Sequence, residues 1–190
     1  MVLYPINNNM NYDAFSHGQT LSKIWLCEQL EPHVPKNTRA AILGSWYNVL
    51  AFMMLTRRTD LYDSITGIDI DPLAVMIADK VCNAWVHDTK VSNIQADTDG
   101  FDYTEFNLVI NCSVEHMNSN WFNNIPDKTI VCIQSSNIID QSFPWLITNP
   151  NPDIKTLVKK YPLSQTLFLG EKEFNYGSWG YKRFMLIGVK

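Results

Sequence analysis

Four short stretches of this chain hold side chains whose types and spacing could do chemistry. The apolar run Ala40-Ala41-Ile42-Leu43 stops at Gly44-Ser45-Trp46, and a second run, Ser64-Ile65-Thr66-Gly67-Ile68-Asp69-Ile70-Asp71, ends in acid. A third, Asn93-Ile94-Gln95-Ala96-Asp97, closes on another acid, and a fourth, Phe106-Asn107-Leu108-Val109-Ile110-Asn111, runs into Cys112-Ser113-Val114-Glu115-His116-Met117. A glycine turn after a strand brings backbone N–H groups close to a ligand, and an acid about 20 residues later accepts hydrogen bonds from ribose hydroxyls. Gly44 and Asp69 stand near that spacing. The outline is a mononucleotide-binding βαβ unit whose turn is poor in glycine.

The elements that must position these groups alternate along the chain. Leu21, Ile24, Trp25, Cys27 and Leu30 recur at helical steps within residues 15–30, and Pro32 and Pro35 end that helix. Residues 49–55 are apolar nearly all round, as in a helix packed between a sheet and its neighbours. Asp71-Pro72 predicts an N-cap and first helical residue, with Leu73, Ile77, Val81 and Trp85 as one apolar face. Strands are expected at 40–43, 65–70, ending near 97, at 106–111 and at 129–134. Residues 1–14 read as an irregular lead-in, 135–153 as loop-rich and 154–161 as a short helix. Residues 166–174 and 182–189 read as a hairpin. Alternating strands and helices imply an α/β chain with a parallel sheet, whose ligands sit outside the carboxyl ends of the strands. Gly44, Asp69, Asp97, Asn111 and Gln134 would then share one rim.

Length and composition bound the rest. The 190 residues form one expected domain, 46% apolar and 18% charged, with a net charge of −4 and no basic block. That balance disfavours nucleic acid as a partner. Cys27, Cys82, Cys112 and Cys132 lie apart within apolar patterns and lack zinc spacing, so no metal site is expected. The N-terminus lacks the pattern of a signal peptide and the longest apolar runs are too short for a bilayer. A cytoplasmic protein with no membrane contact is the expectation.

In order, these pieces resemble the class I S-adenosylmethionine-dependent methyltransferases from about residue 40 onward, and look most like compact members from tailed phages. The resemblance implies a Rossmann-like three-layer sandwich with a mostly parallel seven-stranded sheet and a C-terminal antiparallel hairpin. Residues 1–35 would be a cap segment and helix, and 36–190 the core. S-adenosyl-L-methionine is the implied cofactor. Gly44, Ser45 and Trp46 match the family's turn, Asp69 and Ile70 its ribose segment, and Asp97 the acid that reads the adenine amino group. Asn111, Glu115 and His116 match the segment that orients the methyl acceptor or supplies a base. In the family an acid precedes the first glycine by two residues. Ile42 stands there instead, and Trp46 and Asn48 replace later glycines. Gln19, Asn111 or Glu115 is therefore expected to take over the cofactor's ammonium group.

Three activities fit this reading. The first is methyl transfer to a small molecule or a protein side chain. The second is cleavage, cyclisation or aminocarboxypropyl transfer of the same cofactor, motivated by Trp46 in the turn. The third is a catalytically silent binding module. A nicotinamide-dependent oxidoreductase lacks its glycine fingerprint here. Each residue also has a structural reading: a loop acid for Asp69, a helix cap for Asp71, core or rim packing for Trp46, Tyr47, Trp179 and Tyr181.

Overall fold

The computed structural model describes residues 10–138, 147–177 and 179–190, with Trp179 described by its backbone alone. The expected lead-in at 1–9 and part of the expected loop, 139–146, lie outside the described residues, as does the side chain of Trp179. The chain alternates as its patterning requires. Helix α1 (His17–Leu30) leads into β1 (Thr38–Leu43), α2 (Val49–Arg58), β2 (Tyr62–Asp69), α3 (Pro72–Val81), α4 (Asn83–His87), β3 (Val91–Gln95) and β4 (Leu108–Asn111). Then follow α5 (Asn120–Asn123), β5 (Ile130–Ser136), α6 (Ile154–Lys160), β6 (Gln165–Tyr176) and β7 (Trp179–Val189).

The strands form one seven-stranded sheet in the order β3-β2-β1-β4-β5-β7-β6. The first five are parallel, while β7 runs antiparallel to both β5 and β6. Central strands β1 and β4 bury apolar side chains on both faces, as parallel strands covered by helices must. Helices α1 to α4 cover one face around Leu26, Leu30, Ile42, Met54, Leu55 and Ile110. On the other face Trp121 and Phe122 of α5 and Leu157 of α6 pack with Tyr103 and Tyr161 against Leu43, Val109 and Ile133. This is the expected three-layer α/β sandwich. An antiparallel β7 between β5 and β6 departs from the parallel 3-2-1-4-5-6 order of dinucleotide-binding sheets. No described helix is long and apolar enough to cross a membrane.

Four local expectations are corrected. The helix expected to run from Asp71 through Trp85 breaks at Cys82, whose thiol donates to the Asn48 carbonyl at 3.5 Å, so Trp85 lies in α4. Strand β3 ends at Gln95, two residues before Asp97. Ser135 and Ser136 extend β5 because they pair with Phe184 and Arg183. Residues 12–15 of the lead-in form a 3-10 turn capped by the Asn11 side chain. Asp71 caps α3 as expected, its carboxylate accepting the Leu73 N–H.

The crossing of the β1–α2 turn over β2 depends on one missing side chain. A Cβ on Gly67 would stand 2.5 Å from Asn48 Nδ2, 2.6 Å from Asn93 Oδ1 and 2.9 Å from Ser45 Oγ. The Asn48 amide donates to Asn93 Oδ1 at 2.7 Å across that space. Gly67→Ala must therefore push apart a bonded amide pair, and an overpacked core site costs about 1–3 kcal/mol. The expected outcome in urea unfolding is a lower midpoint with an unchanged slope. Gly100→Ala, which meets no atom within 4 Å, should lose only the roughly 1–2 kcal/mol of its left-handed backbone.

Candidate functional site

The turn after β1 holds an alternating backbone. Gly44 (φ 56°), Trp46 (φ 50°) and Asn48 (φ 49°) are all left-handed, a conformation that non-glycine residues adopt at a cost. The alternation aims successive N–H groups at β2. Ser45 N–H donates to the Ile68 carbonyl at 3.1 Å, and Trp46 N–H donates to Asp69 Oδ2 at 2.7 Å. The other Asp69 oxygen accepts the Asp71 N–H at 3.0 Å. Burial pushes the Asp69 carboxyl above its ordinary range, opposed by the N–H groups of Asp71, Trp46 and Ile70. Each oxygen keeps lone pairs for a further donor. Ile70 beside it is 67% exposed, an apolar side chain left facing outward at the rim. The Asn48 amide bonds Asn93, whose own amide donates to Asp79, while Asn48 Oδ1 is buried with no partner.

Strand β4 delivers Asn111 beside this turn, in register with Leu43. Asn111 is fully buried; its Oδ1 accepts the Ser113 N–H at 2.9 Å and its amide meets Met117 Sδ at 3.2 Å. Ser113 Oγ donates to the Gly44 carbonyl at 3.1 Å. A Cβ on Gly44 would meet Ser113 Cβ at 2.8 Å and Met117 Cε at 3.0 Å, so close packing as well as φ requires glycine there. Burial holds the Cys112 thiol up at about 11, so it is no thiolate nucleophile at neutral pH.

The remaining expected residues separate. The Glu115 carboxylate is buried and accepts the hydroxyls of Ser135 and Ser136, each at 3.3 Å, while its carbonyl accepts the N–H groups of Thr148 and Asn149. It ties β5 to the segment after it. His116 is exposed on the 3-10 turn that follows β4. Asp97 is exposed on the loop after β3, its carboxylate accepting the Asp99 N–H at 2.9 Å. Gln19 accepts the Lys23 ammonium at 2.7 Å. Gly44, Ser45, Trp46, Asp69, Ile70 and Asn111 thus gather at one place, with Asp97 along the rim and Gln19 on the covering helix.

Sequence reasoning missed Ser113, Met117 and Asn93 as the packing that shapes the turn. Their only sequence signal was position just beyond, or inside, a strand. The N-terminal segment closes over the turn. Asn11 N–H donates to the Tyr47 hydroxyl at 3.0 Å, and Ala14 is buried among Tyr47, Val49, Ala74 and Ile77. Gly18 in the first turn of α1 lies so close to the Tyr176 hydroxyl that a Cβ would stand 2.5 Å away. Residues 10–18 therefore join the β1 turn to the hairpin.

No protein-family model matches the chain, and no curated protein matches it in sequence. Solved structures do match its fold. Magnesium protoporphyrin IX methyltransferase from Synechocystis, solved with bound S-adenosylmethionine, is 13% identical over 90% of this chain and 79% of its own, with a TM-score of 0.60. The S-adenosylmethionine-dependent methyltransferase SibL gives 14% identity, 94% and 58% coverage, and a TM-score of 0.64. An arsenic(III) S-adenosylmethionine methyltransferase from Chlamydomonas reinhardtii gives 17% identity, 83% and 65% coverage, and 0.58. With its antiparallel β7 and its left-handed turn against an acid at the end of β2, the chain has the fold of the class I S-adenosylmethionine-dependent methyltransferases.

Proposed function

We propose that this protein is a methyltransferase that binds S-adenosylmethionine at the rim of β1, β2 and β4 and acts on a small molecule or a protein side chain. The observation that carries the reading is the Trp46 N–H to Asp69 bond, which sets a carboxylate with spare lone pairs at the edge of a left-handed turn. The donor set fits the cofactor. Asp69 would accept the two ribose hydroxyls as charge-assisted bonds. Ile70 would supply an apolar surface to the adenine ring, and Asp97 an acceptor for its amino group. Gly44, Ser45 and Trp46 would border the methionine part, with Gln19 or Asn111 near its ammonium group. Once bound, the cofactor supplies an electrophilic methyl on a sulfonium.

The chain's own task is positioning, because in-line displacement needs two partners held in attack geometry more than it needs side-chain chemistry. Asn111 and Glu115 act as positioning residues, the first through Ser113 and Met117, the second through Ser135 and Ser136. His116, exposed after β4, is the candidate base, since histidine is the side chain that most often serves as a general base.

Trp46 in the turn motivates a second reading, in which the cofactor is cleaved or cyclised or donates its aminocarboxypropyl group. Product analysis separates the two. S-adenosylhomocysteine marks methyl transfer and methylthioadenosine marks the alternative. Binding with neither product marks the silent module.

Two outcomes test the site itself by calorimetric titration with S-adenosylhomocysteine. Asp69→Asn removes the charge and turns an amide NH2 against one of the two N–H groups that the carboxylate accepts, so affinity should fall by at least about 1.5–3 kcal/mol, roughly 10- to 150-fold. Burial has raised the Asp69 carboxyl, so its proton returns earlier on acidification than an ordinary aspartate's. Parent affinity should therefore weaken as the pH falls, starting above the pH of about 4 at which an ordinary aspartate takes up its proton, and Asp69→Asn should lack that acid limb. Equal affinities for parent and variant across this range would remove Asp69 from the site.

A further inference from the structure

Three side chains run in line from the β1 turn and end at a residue that the proposed site does not use. Asn48 closes the turn, its N–H donating to the Ser45 carbonyl at 2.8 Å, and it is fully buried. The Asn48 amide donates to Asn93 Oδ1 on β3 at 2.7 Å, and the Asn93 amide donates to Asp79 Oδ1 on α3 at 2.8 Å. Asn93 stands in register with Gly67, whose missing side chain leaves room for the line to pass.

The line has a direction. A carboxylate offers only acceptors, so the Asn93 NH2 faces Asp79 and the Asn93 oxygen is left for Asn48. Asn48 must then present its own NH2, which sends its Oδ1 to a buried place where it meets no donor among the described residues. An unmet buried acceptor destabilises the fold, so one acceptor goes unsatisfied while the direction is kept. Asp79 itself sits against the usual rule. It is exposed in the last turn of α3, where the helix dipole disfavours an acid. What the position provides is the bond to Asn93.

We infer that Asp79 and Asn93 are positioning residues for the cofactor, acting through Asn48 on the turn that carries the Trp46 N–H. Trp46 lies between Ser45 and Asn48, the two ends that the 2.8 Å bond closes, so the placement of Asn48 sets the aim of that N–H at Asp69. Releasing the Asn48 side chain frees the far end of the turn, and the Trp46 N–H and the Asp69 carboxylate lose their common geometry. Neither Asp79 nor Asn93 needs to touch the cofactor to set its affinity. The hold on the turn stands on these bonds alone, whereas its effect on affinity rests on the S-adenosylmethionine reading.

The test combines calorimetric titration with S-adenosylhomocysteine, thermal unfolding, and amide hydrogen exchange of the full chain without cofactor. Asn93→Asp sets a second carboxylate against Asp79 and should weaken binding by about 10-fold. Adding Asp79→Asn supplies a donor to the new carboxylate, so the double variant should recover most of that loss. Asp79→Ala should weaken binding by about 2- to 5-fold. It should nevertheless unfold at or above the parent's midpoint, because an acid has left the last turn of a helix. The conservative Asp79→Asn, whose oxygen still accepts, should rescue that affinity. A residue that merely supported the fold would lose affinity only in step with stability. The Trp46 amide should exchange faster in Asn93→Asp and slow again in the double variant, with the β5 amides unchanged. The inference is overturned if Asn93→Asp and Asp79→Ala both bind as the parent does, or if the double variant binds no better than Asn93→Asp. It is equally overturned if Trp46 exchanges alike in all of them. Should Asn93→Asp fail to fold, the two variants at exposed Asp79 decide, and equal affinity for both overturns it. A parent that ignores S-adenosylhomocysteine but shows the expected exchange pattern keeps the hold on the turn and loses the cofactor reading.

Discussion

The 2.7 Å hydrogen bond from the Trp46 N–H to the Asp69 carboxylate is the constraint on which the rim depends. It fastens the turn after β1 to the end of β2, and it needs Trp46 in a left-handed conformation. Holding a non-glycine residue there costs roughly 1–2 kcal/mol. A hydrogen bond to a charged acceptor returns about 1.5–3 kcal/mol, so the bond can sustain the strain at Trp46. Asn48, the third left-handed residue, is held separately by its amide bond to Asn93 and by the Cys82 thiol on its carbonyl. The chain therefore builds, without repeated glycines, a turn that glycines would adopt freely.

That solution propagates outward. The turn passes close over β2 only because Gly67 offers no side chain, and it is backed from β4 only because Gly44 leaves room for Ser113 and Met117. The aromatic pair Trp46 and Tyr47, ring centroids 5.0 Å apart, gives the N-terminal segment a surface to rest on. Asn11 and Ala14 settle there, and α1 carries the covering across the sheet to Tyr176 and Tyr181 at the hairpin. The cap links the proposed cofactor end of the rim to the hairpin.

Much of this was legible in the sequence. The apolar runs gave the strands, the helical spacing gave α1 to α3, and Asp71-Pro72 fixed the start of α3 to the residue. The spacing of Gly44 and Asp69 marked the β1 turn and the end of β2 as a candidate pair. Other features were hidden because they depend on contacts distant in the chain. Cys82 breaks the third helix while its thiol contacts a carbonyl 34 residues earlier. Ser135 and Ser136, polar and next to an asparagine, read as loop, yet pairing with β7 makes them strand. Glu115 read as a candidate base or partner of the cofactor's ammonium group, and nothing local signalled that two β5 hydroxyls hold its carboxylate.

By itself, then, the sequence determined the alternation of elements, the apolar faces, the α3 cap and the acid that answers the β1 turn. Those properties are local: they follow from periodicity, backbone preference and short spacings. Only the tertiary structure decided that Trp46 and Asn48 adopt the glycine conformation and that Asn111 serves the turn through Ser113 and Met117. It alone decided that Glu115 is held by Ser135 and Ser136 of β5. A side chain's partners are set by which strands lie side by side, and the insertion of β7 between β5 and β6 is a property of the whole sheet rather than of any segment.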